Sequence, residues 1–194
     1  MTMAIKAVTK AIMEIPDRIE TNRLIIRPHV PEDVDAFVDF MTDPEATKHL
    51  DFDDDQKTVD GARALLKYVI ESYETPEPVF AMAVIDQSTG AFLGSCGFSV
   101  IEKDRIVEAY FSLLPRYWGW GFATESMMAI LYYAFVELKL EEVVAYAAAD
   151  NPRSWKVAKN VGMKDQGVRE REGHPPQRKF SVHKDEYLSR VSDE

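Results

Sequence analysis

The chain has 194 residues, 46% hydrophobic and 29% charged, with a formal net charge of −10. That is the composition of a soluble globular protein with enough chain for one large core, and a pI near 4.9 argues against nucleic acid or an anionic membrane as a bulk partner. The single cysteine, Cys96, excludes an internal disulfide and suits a reducing, cytoplasmic setting. The four histidines, His29, His49, His174 and His183, show no metal-ligand spacing, and no apolar run approaches the ~18 residues of a membrane span.

The first fifteen residues place Ala4, Val8, Ala11 or Ile12, and Ile15 at helical spacing. Lys6, Lys10 and Glu14 interrupt any signal-type apolar core. Residues 1–18 therefore read as an extension, either a short helix or a frayed segment, ahead of a single domain over 19–190. Arg23–Arg27 alternates into a short strand stopped by Pro28. Pro31-Glu32-Asp33 opens a helix to about Met41, and Asp43–Gln56 reads as a loop carrying Asp51, Asp53, Asp54 and Asp55. Thr58 is the expected N-cap of a helix reaching about Tyr73.

Val79–Ile85 is a continuous apolar run, as in a strand covered on both faces. Ala91–Ile101 and Val107–Leu114 follow after turns, completing an antiparallel meander. Gly94 and Gly97 mark a bulge or a close backbone approach. Phe122–Leu138 is a long amphipathic helix, and Val143–Ala148 a buried strand that should run parallel to the one before the helix. Asn151 caps the next helix, Pro152 takes its first position, and Gly162 ends it. Two closing strands, about Met163–Arg171 and Lys179–Tyr187, flank a proline-containing loop at Gly173–Gln177. The sum is one mixed sheet covered on both faces.

The segment Arg116–Ser126, RYWGWGFATES, reads as strand, glycine turn, helix start. Gly119 and Gly121 permit a tight turn with no Cβ in the way. The N–H groups from Gly119 to Thr124 can then converge on one anion at the positive end of the helix dipole. It is neither a Walker A loop, since no Gly-Lys-Ser/Thr follows, nor a dinucleotide fingerprint, since Thr124 stands where a third Gly or Ala belongs. From these residues alone it is either an anion site or a structural turn.

Three segments together carry a resemblance. Arg116-Tyr117-Trp118-Gly119-Trp120-Gly121 has the form Arg/Gln-x-x-Gly-x-Gly/Ala, continued through Glu125. Ile19–Pro28 looks like a characteristic first strand, and Asn151-Pro152-Arg153-Ser154 with Val161-Gly162-Met163 like an Asn-x-x-Ser helix and the strand after it. The chain resembles the GNAT superfamily of acetyl-CoA-dependent N-acetyltransferases over about residues 19–187. Within it the chain looks like the ribosomal-protein N-terminal (RimJ/RimL-like) branch. The resemblance implies an α+β GNAT fold: a mixed, mostly antiparallel sheet of six to seven strands, helices on both faces, and a V-shaped splay between the fourth and fifth strands. One departure stands out: other branches carry a general-acid tyrosine where this chain has Ala158.

The resemblance further implies acetyl-CoA as cosubstrate, with no metal, and transfer to a primary amine of a peptide N-terminus or small molecule. Its pantetheine arm would lie in the V against backbone groups of Phe111 and Leu113, near Asn151 and Ser154. Its pyrophosphate would meet Arg116, Gly119, Trp120, Gly121, Phe122, Ala123 and Thr124. A free amine titrates near ~10, so a base is useful. Glu108 is the candidate: it interrupts an apolar strand, where desolvation is expected to raise its pKa, and it matches the branch's strand glutamate. The alternative is a solvent-facing carboxylate or a pair with Arg105. Ser154 is the candidate acid for the thiolate, or else a serine bonding locally at a helix start. Cys96 reads better as a buried small hydrophobe than as a nucleophile. Trp118 and Trp120 either cover the cofactor or shield the loop, the aspartate loop borders the acceptor entrance or is merely solvated, and His174 in the late loop is a lesser candidate for touching the acceptor. The competing class is a non-catalytic acyl-CoA-binding sensor. The expected protein is cytoplasmic, a monomer or homodimer, with no nucleic-acid or membrane partner.

Overall fold

The computed structural model describes residues 14–50, 52–102, 106–171 and 174–191. Strands β1 (Ile19–Glu20) and β2 (Leu24–Pro28) form a hairpin, followed by a 3₁₀ turn at Pro31–Asp33 and helices α1 (Val34–Thr42), α2 (Pro44–Thr47) and α3 (Val59–Ser72). Then come β3 (Phe80–Asp86), β4 (Phe92–Glu102) and β5 (Ile106–Leu113), a second 3₁₀ turn at Pro115–Tyr117, and helix α4 (Phe122–Tyr132). The chain closes with β6 (Glu142–Ala148), α5 (Pro152–Asn160), β7 (Lys164–Arg171), β8 (His174–His183) and α6 (Lys184–Val191).

The strands make one eight-stranded sheet in the order β1-β2-β3-β4-β5-β6-β8-β7. Every neighbouring pair is antiparallel except β5 with β6, which is parallel. The mixed, mostly antiparallel sheet is as expected; the count exceeds six to seven because the two-residue β1 pairs with β2. Alternation along β3 sends Phe80, Met82 and Val84 to one face, with α4 and α5, and Ala83 and Ile85 to the other, with α1 and α3. Both faces are thus covered at β3, which is why its first six residues are all buried.

Local signals produce most of these elements. Thr58 Oγ1 accepts from the Gly61 N–H at 3.1 Å, capping α3. Gly94 is pressed against β5, where an added Cβ would lie 2.1 Å from the Ser112 carbonyl oxygen, and a bulge sits beside it between Val84 and Ile85. Three expectations are corrected. Within the expected Asp43–Gln56 loop, Asp43 Oδ1 accepts from the N–H groups of Glu45 and Ala46, both at 2.9 Å, and starts α2. The long helix is α only to Tyr132 and continues as a π-helix over Tyr133–Glu137.

The last strand is also displaced: β8 begins at His174, inside the expected loop, and ends at His183, so Tyr187 lies on α6. Prolines 175 and 176 are tolerated because β8 pairs with β6 only from Gln177 onward, and its register with β7 slips between Arg169 and Arg171. The expected N-terminal helix lies outside the described residues apart from Glu14 and Ile15. Ile15 packs on the core, and the Glu14 carbonyl accepts from Tyr133 Oη at 3.0 Å.

Candidate active site

The site is set by where two parallel strands stop pairing. Ile106, Val107 and Glu108 match Glu142, Val143 and Val144, and the ladder ends there. Yet β5 continues to Leu113 and β6 to Ala148. This is the splay between the fourth and fifth strands of the sequence reading, with Glu108 at its closed end. The Leu114 N–H donates to the Leu93 carbonyl on β4 at 2.8 Å. Backbone direction alternates along a strand, so Phe111 and Leu113 present their amides to the V. The Leu113 carbonyl already accepts from Trp118 Nε1 at 2.7 Å, which leaves the N–H of Leu113 and the groups of Phe111 for an extended ligand.

At the open end of β5 the chain enters the glycine turn. Gly119 has φ +83° and Gly121 φ +84°, the left-handed region where glycine is favoured. A Cβ on Gly119 would meet nothing within 4 Å, so the space beside the turn is open there. Gly121 is the N-cap of α4, so the N–H groups of Phe122, Ala123 and Thr124 lie in the first turn at the positive helix end. The Phe122 ring is buried, so only its backbone is offered there, while Trp120 is 67% exposed at the rim. Arg116 is exposed, its guanidinium 5.0 Å from the Tyr117 ring centroid. Backbone donors, an open cradle and a helix N-terminus fit a pyrophosphate; they do not require a basic cluster in this acidic chain.

The end of β6 supplies the opposite rim. Asn151 Oδ1 accepts from the Ser154 N–H at 3.2 Å, which caps α5 and places Ser154 in its first turn. Ser154 is partly buried, and among the described residues its Oγ has no hydrogen-bond partner. One contact ties the rims together and a second ties the β6 rim to the early helices. The Arg153 guanidinium lies 4.8 Å from the Trp118 ring centroid, bridging α5 to the turn after β5. His49 Nδ1 stands 3.8 Å from Asp150 Oδ1, joining the segment after α2 to the turn before α5.

The structure thus brings Phe111, Leu113, Arg116, the Gly119–Thr124 turn, Asn151 and Ser154 to the end of the sheet where β5 and β6 part. Glu108 is partly buried and lies three positions before Phe111, about 10 Å along an extended strand. Arg105, its alternative partner, falls outside the described residues. Cys96 is fully buried and burial pushes its thiol up to about 12, which suits a packing role. Asp51 is outside the described residues; Asp53, Asp54 and Asp55 are exposed in a turn in which Lys57 Nζ stands 3.7 Å from Asp54 Oδ1. His174 opens β8 opposite Arg171, in the β7–β8 hairpin.

Sequence reasoning missed the braces. Arg23 Nη1 donates to the Trp120 carbonyl at 3.0 Å, and its guanidinium lies 4.6 Å from the Phe122 ring centroid. Its Nε donates to Glu125 Oε2 at 2.7 Å. Arg23 and Glu125 both lie inside the segments that carried the family resemblance, which was the available signal, but their partnership spans the chain.

A sheet splayed at one parallel pair, with a glycine turn on one arm and a capped helix on the other, defines an acyltransferase of the GNAT type. Residues 23–164 match the family described as acetyltransferase (GNAT) domain. An uncharacterised N-acetyltransferase of Bacillus licheniformis, p20, is 27% identical over 156 residues, 78% of this chain and 85% of that protein. A GNAT-family acetyltransferase structure from Bacillus anthracis superimposes with a TM-score of 0.75 at 21% identity, covering 87% of this chain and 99% of that one. A ribosomal-protein-S5-alanine acetyltransferase structure from Vibrio fischeri does so with a TM-score of 0.71 at 16% identity, covering 88% of this chain and 98% of that one. The chain belongs to the GNAT acetyltransferase family and is an acetyltransferase.

Proposed function

We propose that this enzyme transfers an acetyl group from acetyl-CoA directly to a primary amine, with residues 19–190 forming one catalytic domain. The observation that carries this reading is the ladder that stops at Glu108 and Val144, with donors for a pyrophosphate on one arm and Asn151-x-x-Ser154 on the other. Acetyl-CoA supplies the activated acyl group as a thioester. The N–H of Leu113 and the backbone of Phe111 hold the pantetheine arm as an added strand, and an N–H of this stretch faces the developing oxyanion. The amide groups of Gly119 to Thr124 hold the pyrophosphate, with Arg116 and Trp120 at its rim.

Glu108, at the closed end of the V, takes the proton of the incoming ammonium, directly or through one water. The neutral amine attacks the thioester carbonyl, the tetrahedral intermediate collapses, and the C–S bond breaks. Ser154 Oγ–H gives its proton to the departing thiolate, assisted by the helix N-terminus beside it, and is reprotonated by the second proton of the attacking nitrogen, which leaves as the neutral amide forms. Ala158 leaves no tyrosine for that task. The resemblance of Ile19–Pro28 and Tyr117–Glu125 to the ribosomal-protein branch favours a peptide N-terminus as acceptor.

The test is release of free CoA thiol from acetyl-CoA with a panel of small amines and short peptides of varied N-termini. Acetylated product at a primary amine is expected, with the strongest turnover among peptides. Tight CoA binding with no product on any amine would instead favour an acyl-CoA sensor.

A further inference from the structure

Tyr110 lies two positions beyond Glu108 on β5 and faces the same side of the sheet. Two positions further, Ser112 Oγ donates to the Ala46 carbonyl of α2 at 2.6 Å, so this is the side beneath α1–α3. The ladder with β6 has already ended at Glu108. Tyr110 is therefore the first residue on this side to border the open part of the V.

Its ring leans across β4. A Cβ on Gly97 would stand 2.9 Å from both Cε1 and Oη of Tyr110, so the missing side chain makes room for the ring. Ser95 lies close enough to favour the ionised phenol, against the larger effect of burial. Ser95 Oγ donates to the Met82 carbonyl at 3.1 Å, so its oxygen accepts from His29 Nε2, 3.2 Å away. His29 is seated edge-on against Phe37, ring centroids 5.2 Å apart, and its backbone N–H donates to Tyr73 Oη at 3.1 Å. The phenolic oxygen is enclosed, and burial raises its pKa, yet the residue as a whole keeps an exposed part. A half-buried ring seated over Gly97, on the strand position that follows the end of the β5–β6 ladder, is a rigid surface.

We propose that Tyr110 is a specificity-determining residue: its ring is the back wall of the acceptor pocket beside Glu108 and limits the size of the group carried by the acceptor amine. This rests on the reading that the amine arrives on the Glu108 side. Truncating the ring opens that wall, while removing only the hydroxyl keeps the wall in place.

The experiment compares wild type, Tyr110→Ala, Tyr110→Leu and Tyr110→Phe on a graded series of primary amines and on tripeptides differing in their first residue. The readout is the ratio of kcat/KM for the bulky over the small acceptor, alongside KM for acetyl-CoA. Tyr110→Ala and Tyr110→Leu are expected to raise that ratio about tenfold or more, with KM for acetyl-CoA held within about twofold, since only uniform binding of the acceptor is altered. Tyr110→Phe is expected to keep the wild-type ratio. An unchanged ratio in folded Tyr110→Ala or Tyr110→Leu overturns the proposal. Calorimetric dissociation constants of the same amines for the CoA-bound protein give the ratio without turnover. A Glu108→Gln variant with normal turnover removes the base from the mechanism, while a ratio that still shifts in Tyr110→Leu keeps the wall.

Discussion

Arg23 and Glu125 lock the glycine turn to the first hairpin. Arg23 donates to Glu125 from its backbone N–H at 3.0 Å and from Nε at 2.7 Å, and Thr21 Oγ1 donates to the same carboxylate at 2.6 Å. These bonds hold the Glu125 carboxyl below its ordinary range against the opposing effect of burial. The same arginine holds the Trp120 carbonyl, so the turn between Gly119 and Gly121 is fixed from behind.

Glu125→Ala is expected to destabilise the protein by about 1 kcal/mol, since the Thr21 donor is part-buried while the exposed Arg23 is screened by solvent. It should raise KM for acetyl-CoA about tenfold, since a displaced turn no longer aims its amides at the pyrophosphate. KM for the amine should not change. Urea denaturation and initial-rate kinetics check both, and an unaltered KM for acetyl-CoA would show that the turn holds its shape without this brace.

Glu108→Gln is expected to lower kcat by about 100-fold or more near neutral pH, within the range of a lost general base. The deficit should shrink as pH approaches the ~10 of a free amine, because the acceptor then sheds its own proton. Affinity for acetyl-CoA should be unchanged, as Glu108 lies at the closed end of the V and not against the pyrophosphate turn. A pH–rate series on both enzymes, with acetyl-CoA binding by calorimetry, decides it; a deficit independent of pH would point to a purely structural carboxylate.

Ser154 and Asn151 separate chemistry from capping. Ser154→Ala keeps the Asn151 cap, because that bond uses the Ser154 backbone N–H. It should lower kcat by about 10- to 100-fold through the unprotonated thiolate, with Tm unchanged. Asn151→Ala removes the cap and should cost about 1 kcal/mol. Equal kcat in Ser154→Ala and wild type would confine Ser154 to the helix start.

What the sequence made legible was mostly local. Gly119 and Gly121 announced their left-handed backbone, Thr58 and Asn151 announced their helices, and the apolar run at Phe80–Ile85 announced a strand buried on both faces. The V itself followed only from family resemblance, because no periodicity tells two parallel strands where to part. Long-range partnerships were silent: Arg23 with Glu125, Arg153 with Trp118, and His29 with Ser95 are each ordinary residues in their own windows. The closing strands misled for a related reason. Pro175 and Pro176 read as a loop by composition, and only the pairing of β8 shows a place where a missing N–H is harmless.

The buried histidine makes acid stability a readout of the layer behind Tyr110. His29 is 2% exposed, and burial lowers its pKa from 6.5 to about 4, with Arg27 adding to the shift and Asp33 opposing it. The neutral ring keeps its proton on Nε2, toward Ser95, which accounts for Nδ1 as a buried atom without a partner, 3.8 Å from Asp33 Oδ2. The groups around it are the Arg27–Asp33 pair, held by two bonds of 2.8 Å, and the phenols of Tyr73 and Tyr110. In the unfolded chain His29 takes up a proton near 6.5, and in the native state only near 4. Between those values the unfolded state binds more protons, so stability falls as pH falls through that window, by up to about 3 kcal/mol. The Asp33 carboxyl, held low by its hydrogen bonds to Arg27 and Val30, adds a further loss at still lower pH as that pair is protonated. Urea midpoints measured from pH 7 to pH 4 should therefore decline for wild type, and His29→Gln, which has nothing to titrate there, should decline less. Parallel profiles for the two proteins would mean that the imidazole carries its charge in the native state.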